Sequence, residues 1–208
     1  MIQQATLPLF PFFAPAQRPD MNPVLERKLR RAALKGEPVA IGSAAVPYVP
    51  AELRHGVIRS LLEASLRVEG LEISITTGSP LILRDLGLLV ELDKRSSVTV
   101  RVAMPAADFE LARRIDPRAA DPTEQLSAVR ELAEERIAVK VLCSPIAPGL
   151  NDGDLALRPL LEAAREAGAY DVEAYADPLR NGSRERFLES FLRLRLEHGF
   201  PRPEFGRG

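Results

Sequence analysis

From Pro38 onward the chain alternates between short stretches with a hydrophobic period of two and longer stretches with a helical period. In segment 98–104 the valines at alternate positions form one face of a predicted strand, and Arg101 belongs to the other face. The same two periods recur in turn along the chain. The predicted strands are 39–44, 71–77, 98–104, 138–144 and 171–176, and the predicted helices are 51–67, 81–93, 108–115, 122–136, 154–167 and 184–198.

About five successive strand–helix units predict an α/β fold with a parallel sheet and right-handed crossovers. A closed barrel of eight units needs roughly 250 residues, so the pattern predicts a partial, open (βα) barrel or a doubly wound sheet. A basic helix beginning at Asn22 and stopping at Gly36 precedes the units. The expected organisation is a Pro/Phe-rich tail over 1–20, a single domain over 21–200 and a loose end over 201–208.

Charged side chains fall on the predicted strand faces opposite the aliphatic residues. Arg101 and Lys140 share that face with Glu72 and Glu173. Buried charges must be paired, so one interpretation is an internal layer of ion pairs, in which Arg101 pairs with Glu173 or Glu72. The other is an anchor for an anionic ligand such as a carboxylate or phosphate. The balance of signs favours the ion-pair layer.

Composition narrows the function classes. The formal net charge of -1 gives no general electrostatic case for nucleic acid or an anionic membrane. The basic helix over 24–35 leaves nucleic acid as a weak candidate partner, although a solvated helix face is the simpler interpretation. No apolar run reaches bilayer length. The single cysteine, Cys143, excludes an intramolecular disulfide and favours a cytoplasmic location.

Residues 137–152 are the stretch most suggestive of a ligand site. A β-branched strand runs into Pro145, Pro148 and Gly149, and Asn151 and Asp152 can cap the helix that follows. In parallel α/β folds, ligands bind at such carboxyl ends of strands. An ordinary tight connection between strand and helix explains this segment equally well by itself.

Four segments occur in one order and together carry a family resemblance: 38–52 (PVAIGSAAVPYVPAE), 74–89 (SITTGSPLILRDLGLL), 110–134 (ELARRIDPRAADPTEQLSAVRELAE) and 145–152 (PIAPGLND). They resemble the radical S-adenosylmethionine (SAM) superfamily, and within it the spore photoproduct lyase-like, or DNA-repair-photolyase-like, group. The resemblance implies an open barrel of six (βα) units. It also implies a CxxxCxxC loop after the first strand, where a [4Fe–4S] cluster and the cofactor bind.

The chain departs from this family pattern in its chemistry. A site-differentiated cluster needs three neighbouring thiolates, and here a lone Cys143 lies on a predicted strand facing the core. The segments present resemble the second to sixth units, so the unit that would carry the cluster is missing. Where relatives usually carry lysine this chain has Gly78, and Arg101 and Lys140 stand where relatives have small residues. We therefore expect no metal ligands, no catalytic residues and no cluster on this chain alone.

The resemblance places any surviving site for SAM or a nucleoside at the carboxyl ends of the strands. The residues expected to form that site are Ser43, Tyr48, Thr76, Thr77, Ser79, Arg118, Pro145, Ile146 and Asn151. In relatives, the loop matching 145–149 lies along the adenine of the cofactor. Its backbone and apolar contacts could outlast the lost side chains, which leaves weak nucleoside binding open.

Three functions remain open at this point. The first is a truncated or degenerate radical SAM-like protein that is not catalytic alone and acts as a binding or accessory module. The second is a fragment whose cluster half lies on another polypeptide, and which would cleave SAM for chemistry on nucleic acid or another macromolecule. The third is a nonradical (βα) enzyme using Asp152, Asp154, Arg118 or Tyr48, which no nucleophile–base pair supports. A homodimer or a companion chain is the partner expected to cover the sheet edge over 39–44.

Overall fold

The computed structural model describes residues 22–42, 47–175 and 182–200. Within them, five parallel strands form one sheet: β1 (Val39–Ile41), β2 (Glu72–Thr77), β3 (Ser97–Met104), β4 (Ala138–Cys143) and β5 (Asp171–Ala174). All five predicted strands are confirmed. The predicted first and last strands extend beyond the observed ones, and their ends at 43–44 and 176 lie outside the described residues, as do the predicted tail and the loose C-terminal end.

The helices connect the strands in the predicted order. They are α1 (Asn22–Lys35), α2 (Glu52–His55), α3 (Val57–Ser65), a 3-10 helix (Pro80–Asp85), α4 (Leu86–Asp93), α5 (Phe109–Ile115), α6 (Pro122–Glu134), α7 (Asp154–Glu166) and α8 (Gly182–Glu197). The predicted single helix over 51–67 is broken at Gly56, which has a left-handed φ of 57°. The predicted stop of α1 at Gly36 is confirmed, since that glycine has a φ of 62°.

Short polar side chains begin several of these helices. The Asp108 carboxylate accepts a hydrogen bond from the Leu111 amide at 2.7 Å, and Asp121 accepts one from the Thr123 amide at 2.8 Å. Such contacts satisfy amides that have no partner in the first helical turn. They explain why α5 and α6 begin within a residue of their predicted positions.

The order of the strands decides between the two architectures left open by the sequence. The strands lie in the order β1-β2-β3-β4-β5, so every strand neighbours the next one along the chain. A doubly wound sheet reverses its order at a switch point, and the five described strands show no such reversal. The arrangement is that of a partial, open (βα) barrel, as predicted.

The two faces of the sheet are unlike. One face is aliphatic and buried, as Val98, Val100 and Val102 of β3 illustrate with exposures of 1%, 0% and 3%. The opposite, concave face is only half-buried, and the register places Arg101 beside Lys140 on it. Among the described residues, no helix is both long and apolar enough to cross a bilayer.

Candidate functional site at the mouth of the half-barrel

The loops after β2, β3 and β4 meet at the carboxyl edge of the sheet, which we call the mouth. The register of the parallel strands brings the ends of β2, β3 and β4 side by side. This is the edge at which the sequence predicts a ligand site, and it is where (βα) barrels carry their functional residues.

Asn151 organises the part of the mouth formed by the loop after β4. Its side chain is buried, and its Oδ1 accepts a hydrogen bond from the Ala147 amide at 2.7 Å. Its Nδ2 donates to the carbonyl oxygens of Pro105 at 2.8 Å and Pro145 at 2.9 Å. One amide therefore fixes the shape of its own loop and ties it to the loop after β3. The neighbouring Asp152 accepts from the Gly149 amide at 2.8 Å.

Gln125 of α6 is a mouth residue that the sequence did not single out. Its buried Nε2 donates to the carbonyl oxygens of Gly78 at 2.7 Å and Ala103 at 2.9 Å, which joins the ends of β2 and β3. A β-carbon at Gly78 would lie 3.0 Å from the Ala103 oxygen. The sequence feature that could have indicated Gln125 is its position on the buried face of α6, where it is a polar residue in line with the apolar Ala128 and Leu132.

We expect Gln125→Leu to lower the free energy of unfolding by about 1–3 kcal/mol, because the variant leaves two carbonyl oxygens without their donor. Urea unfolding followed by circular dichroism measures the change. The control is Gln125→Glu, which keeps the shape but replaces the donor with a group that repels both oxygens. A Gln125→Glu variant as stable as the wild type would contradict the assigned contacts.

The mouth loop before α2 rests on a second set of polar side chains. Tyr48 is buried and has a positive φ of 61°, which is uncommon for a residue other than glycine. The Arg84 guanidinium lies 5.7 Å from the centre of its ring. Burial, and then the negative charge of Asp85, raise the pKa of the Tyr48 phenol far above its ordinary value, so the hydroxyl stays protonated. That hydroxyl does not meet hydrogen-bond geometry with any described group.

Asp85 and Glu52 hold that loop to the rest of the domain. The Asp85 carboxylate is fully buried and pairs with Arg59 at 3.0 Å and Arg84 at 2.6 Å. Arg84 also contacts Glu52 at 3.2 Å, and Glu52 accepts hydrogen bonds from the Val57 and Ile58 amides at 3.0 and 2.8 Å. These carboxylates were also missed from the sequence. The signal for Asp85 was a charged residue inside the otherwise apolar run 81–89.

The predicted site residues are distributed unevenly around the mouth. Thr77 donates to the Pro47 carbonyl at 3.2 Å, and Ser79 accepts from the Leu81 amide at 3.4 Å to begin the 3-10 helix. Pro145 is exposed and Ile146 is buried, whereas Thr76 lies half-buried on the concave face.

The Arg118 side chain is 93% exposed and reaches only Asp116 within the described residues. Ser43 lies outside them. Ligand contact by these residues stays a prediction.

The predicted ion-pair layer is confirmed on the concave face. Arg101 Nε lies 2.9 Å from Glu173 Oε2, and Lys140 Nζ lies 2.6 Å from Glu173 Oε1. Arg101 also donates to the Ser74 hydroxyl. Of the two predicted partners of Arg101, the structure thus selects Glu173. The other, Glu72, is exposed at the amino end of the same face.

The ion pairs set the protonation of Glu173. Burial would raise the pKa of this carboxyl, but the Lys140 hydrogen bond and the Arg101 charge outweigh burial and hold it below its ordinary value. Because the folded pKa is lowered, the stability that Glu173 contributes is complete above its unfolded pKa of about 4.3. That stability is lost as the pH falls through the folded pKa.

We expect Glu173→Gln to lower the free energy of unfolding at pH 7 by about 1–2 kcal/mol, a value discounted for the partial exposure of the pair. The difference from the wild type should shrink as the pH falls below about 4, since the wild-type carboxyl then becomes neutral as well. Urea unfolding of both proteins at pH 7 and pH 3 measures it. A difference independent of pH would show that the charge of Glu173 does not matter.

The residues present do not fit an iron–sulfur cluster. Cys143 is completely buried, and burial raises the pKa of its thiol to about 12. No group of three His, Cys, Asp or Glu side chains in the described ranges could hold a metal ion. The carboxylates considered for a nonradical enzyme have structural contacts, since Asp152 binds the Gly149 amide and Asp154 pairs with Arg193.

Comparison with solved structures identifies the architecture. The chain aligns with a radical SAM methyltransferase from Sphaerobacter thermophilus at a TM-score of 0.54 and 20% identity, over 87% of this chain and 55% of that one. It also aligns with Streptococcus suis SuiB bound to the precursor peptide SuiA, at a TM-score of 0.55 and 17% identity, over 76% and 33% of the two chains. The chain has a radical SAM-like fold. At these identities the likeness concerns the fold alone, and the spore photoproduct lyase-like subgroup stays a prediction.

Relatives in sequence match this chain over part of their own length. The uncharacterized proteins Rv2578c of Mycobacterium tuberculosis and Mb2609c of Mycobacterium bovis are each 31% identical over 165 residues, which is 79% of this chain and 48% of theirs. The uncharacterized protein ORF301 of Acidianus two-tailed virus is 32% identical over 114 residues, 55% of this chain and 36% of its own. No protein-family model matches the chain. The chain spans about half the length of its mycobacterial relatives.

Proposed function

We propose that this chain is not catalytic by itself and acts as the binding or accessory half of a radical SAM-like barrel. One observation carries the proposal. The sole thiol, Cys143, is buried in the sheet and remains protonated at neutral pH, whereas a site-differentiated cluster needs three exposed thiolates. Without a cluster the chain has no electron source for the reductive cleavage of SAM.

Anaerobic reconstitution with iron and sulfide tests this proposal. We expect an iron content well below one cluster per chain and no 5′-deoxyadenosine when SAM and a reductant are added. Cys143→Ala is the matched control, and it should retain the same background of iron as the wild type. A stoichiometric cluster that disappears in Cys143→Ala would overturn the proposal.

The mouth is the proposed site of any residual nucleoside binding. A shallow groove of about 380 Å³ runs beside the segment 149–156, and Leu150 and Leu155 line it with exposed apolar surface. Such surface suits the face of a nucleobase, and the Asn151 network holds the adjoining loop in one shape. The other contributors are those predicted from the sequence, among them Thr76, which lies half-buried on the concave face.

Calorimetric titration with SAM and S-adenosylhomocysteine tests nucleoside binding. We expect weak, saturable heats with both compounds, and weaker heats after Leu150→Ser. Glu91→Ala is the control, because Glu91 lies outside the predicted site, where it forms an exposed pair with Lys94. An absence of heat at high ligand concentration would remove nucleoside binding and leave the proposed lack of catalysis untouched.

A second candidate is an enzyme whose cluster half lies on another polypeptide. This candidate is favoured because the chain aligns with only 48% of the length of Rv2578c, a longer protein. The short strand β1, three residues long at the edge of the described sheet, is where such a unit would add. Co-expression with a CxxxCxxC segment from a neighbouring reading frame tests it. Co-purification with iron and production of 5′-deoxyadenosine would favour this candidate, and analytical ultracentrifugation of the chain alone distinguishes it from a homodimer.

A further inference from the structure

We propose that the concave face binds a small oxyanion, a phosphate or a carboxylate, in a row formed by Thr76, Arg101 and Lys140. The three residues are register partners on adjacent parallel strands β2, β3 and β4. Register partners in a parallel sheet point to the same face, about 4.8 Å apart. The row therefore presents a hydroxyl, a guanidinium and an ammonium group side by side. This proposal does not depend on SAM or on nucleoside binding.

Two members of this row, Arg101 and Thr76, have donors that no other described residue uses. Arg101 donates through Nε to Glu173 and through Nη1 to Ser74, and its Nη2 has no partner among the described residues. The Thr76 hydroxyl likewise makes no hydrogen bond within the part of the chain that the structure describes. An arginine fork with a free amino group next to a free hydroxyl is suited to bind two oxygens of one anion.

The charges around the row also favour an anion. Glu173 is the carboxylate that both Arg101 and Lys140 contact. Asp171 lies 3.4 Å from Lys140, but it is closer to Arg195, at 2.6 Å. The contacts of Arg101, Lys140 and Arg195 thus involve two carboxylates, Glu173 and Asp171, and the Arg101 and Lys140 side chains are still 18% and 17% exposed. A bound oxyanion would balance the remaining positive charge.

Small residues follow Thr76 and Arg101 toward the mouth. One row nearer the mouth, the position on β3 is Ala103. Gly78 follows the end of β2 near it, since a β-carbon at Gly78 would lie 3.0 Å from the Ala103 oxygen and 3.4 Å from Gln125 Nε2. Neither Ala103 nor Gly78 has a side chain longer than a methyl group. Glu173 approaches Arg101 from β5. The anion is therefore expected over Thr76 and Arg101, with Lys140 contributing at longer range.

Titration of the full chain with inorganic phosphate at low ionic strength, followed by calorimetry, tests the site. We expect saturable binding that weakens about tenfold or more in Arg101→Gln and Lys140→Gln, because each variant removes a charged contact. Thr76→Val should weaken it several-fold at nearly constant side-chain volume. Glu173→Gln should strengthen it, since that variant removes the internal anion that competes for both cations. The control is Arg193→Gln, which breaks exposed ion pairs on α8 and should leave binding unchanged.

A parallel titration with acetate distinguishes the two ligand chemistries, and the tighter anion identifies the ligand class. Circular dichroism checks that each variant is folded. If Arg101→Gln does not fold, the binding measured for Thr76→Val and Glu173→Gln tests the site instead. Three results would overturn the proposal. They are no saturable binding of either anion, equal weakening by Arg193→Gln, and weaker binding in Glu173→Gln.

Discussion

Asp85→Ala should lower the free energy of unfolding by about 3 kcal/mol, the largest effect expected of any single polar residue described above. The carboxylate is completely buried between Arg59 and Arg84. Removing one member of a buried ion pair leaves its partner without compensation, which typically costs about 3–5 kcal/mol. The lower end of that range applies here, because Arg59 is 46% exposed and can turn to water.

The same substitution should loosen the loop that carries Tyr48. Arg84 packs over the Tyr48 ring and is held in place by Asp85. Without the Asp85 carboxylate, the Arg84 side chain is no longer fixed against the ring. Guanidinium unfolding followed by tyrosine fluorescence and by circular dichroism measures both effects.

Glu91→Ala is the control for Asp85→Ala. Glu91 pairs with Lys94 at 2.5 Å, but both side chains are more than half exposed, and such surface pairs contribute little to stability. Asp85→Asn should fall between the two, because it keeps the shape and loses the charge. If Asp85→Ala and Glu91→Ala were equally mild, Asp85 would not be the buried counterion that the structure assigns.

Asn151→Ala should lower the free energy of unfolding by about 2–3 kcal/mol, which makes it the second largest effect. The variant leaves the Ala147 amide and the carbonyl oxygens of Pro105 and Pro145 without their partner. An unsatisfied buried polar group costs about 1–3 kcal/mol, and water entering the space would recover part of the total.

Asn151→Asp separates the hydrogen bonds from the packing. The aspartate has the same size, yet it cannot donate and would face two carbonyl oxygens, so it should be at least as destabilising as alanine. Asp152→Ala is the neighbouring control. That side chain makes one exposed hydrogen bond, to the Gly149 amide, and its loss should cost about 0.5–1 kcal/mol. Urea unfolding of the three variants measures the order, and an Asn151→Asp variant with wild-type stability would contradict the assigned network.

The alternation of apolar and polar residues by itself determined which side of each strand is buried. Val98, Val100 and Val102 must lie on one face because the side chains of a strand alternate, and Arg101 must then lie on the other. Local chemistry also placed the helix limits at Gly36, since a left-handed φ suits glycine, and at Asp108, since its carboxylate reaches the free amides of the first turn.

Only the tertiary structure decided which polar groups meet at the mouth. Asp85, Gln125 and Asn151 each have a partner 26 to 47 residues away along the chain, namely Arg59, Gly78 and Pro105. The hydrophobic periodicity of a sequence predicts the face on which a side chain lies, but it does not predict which loop folds against that face. The pairing follows from the order and register of the strands, and therefore from the packing of the whole half-barrel.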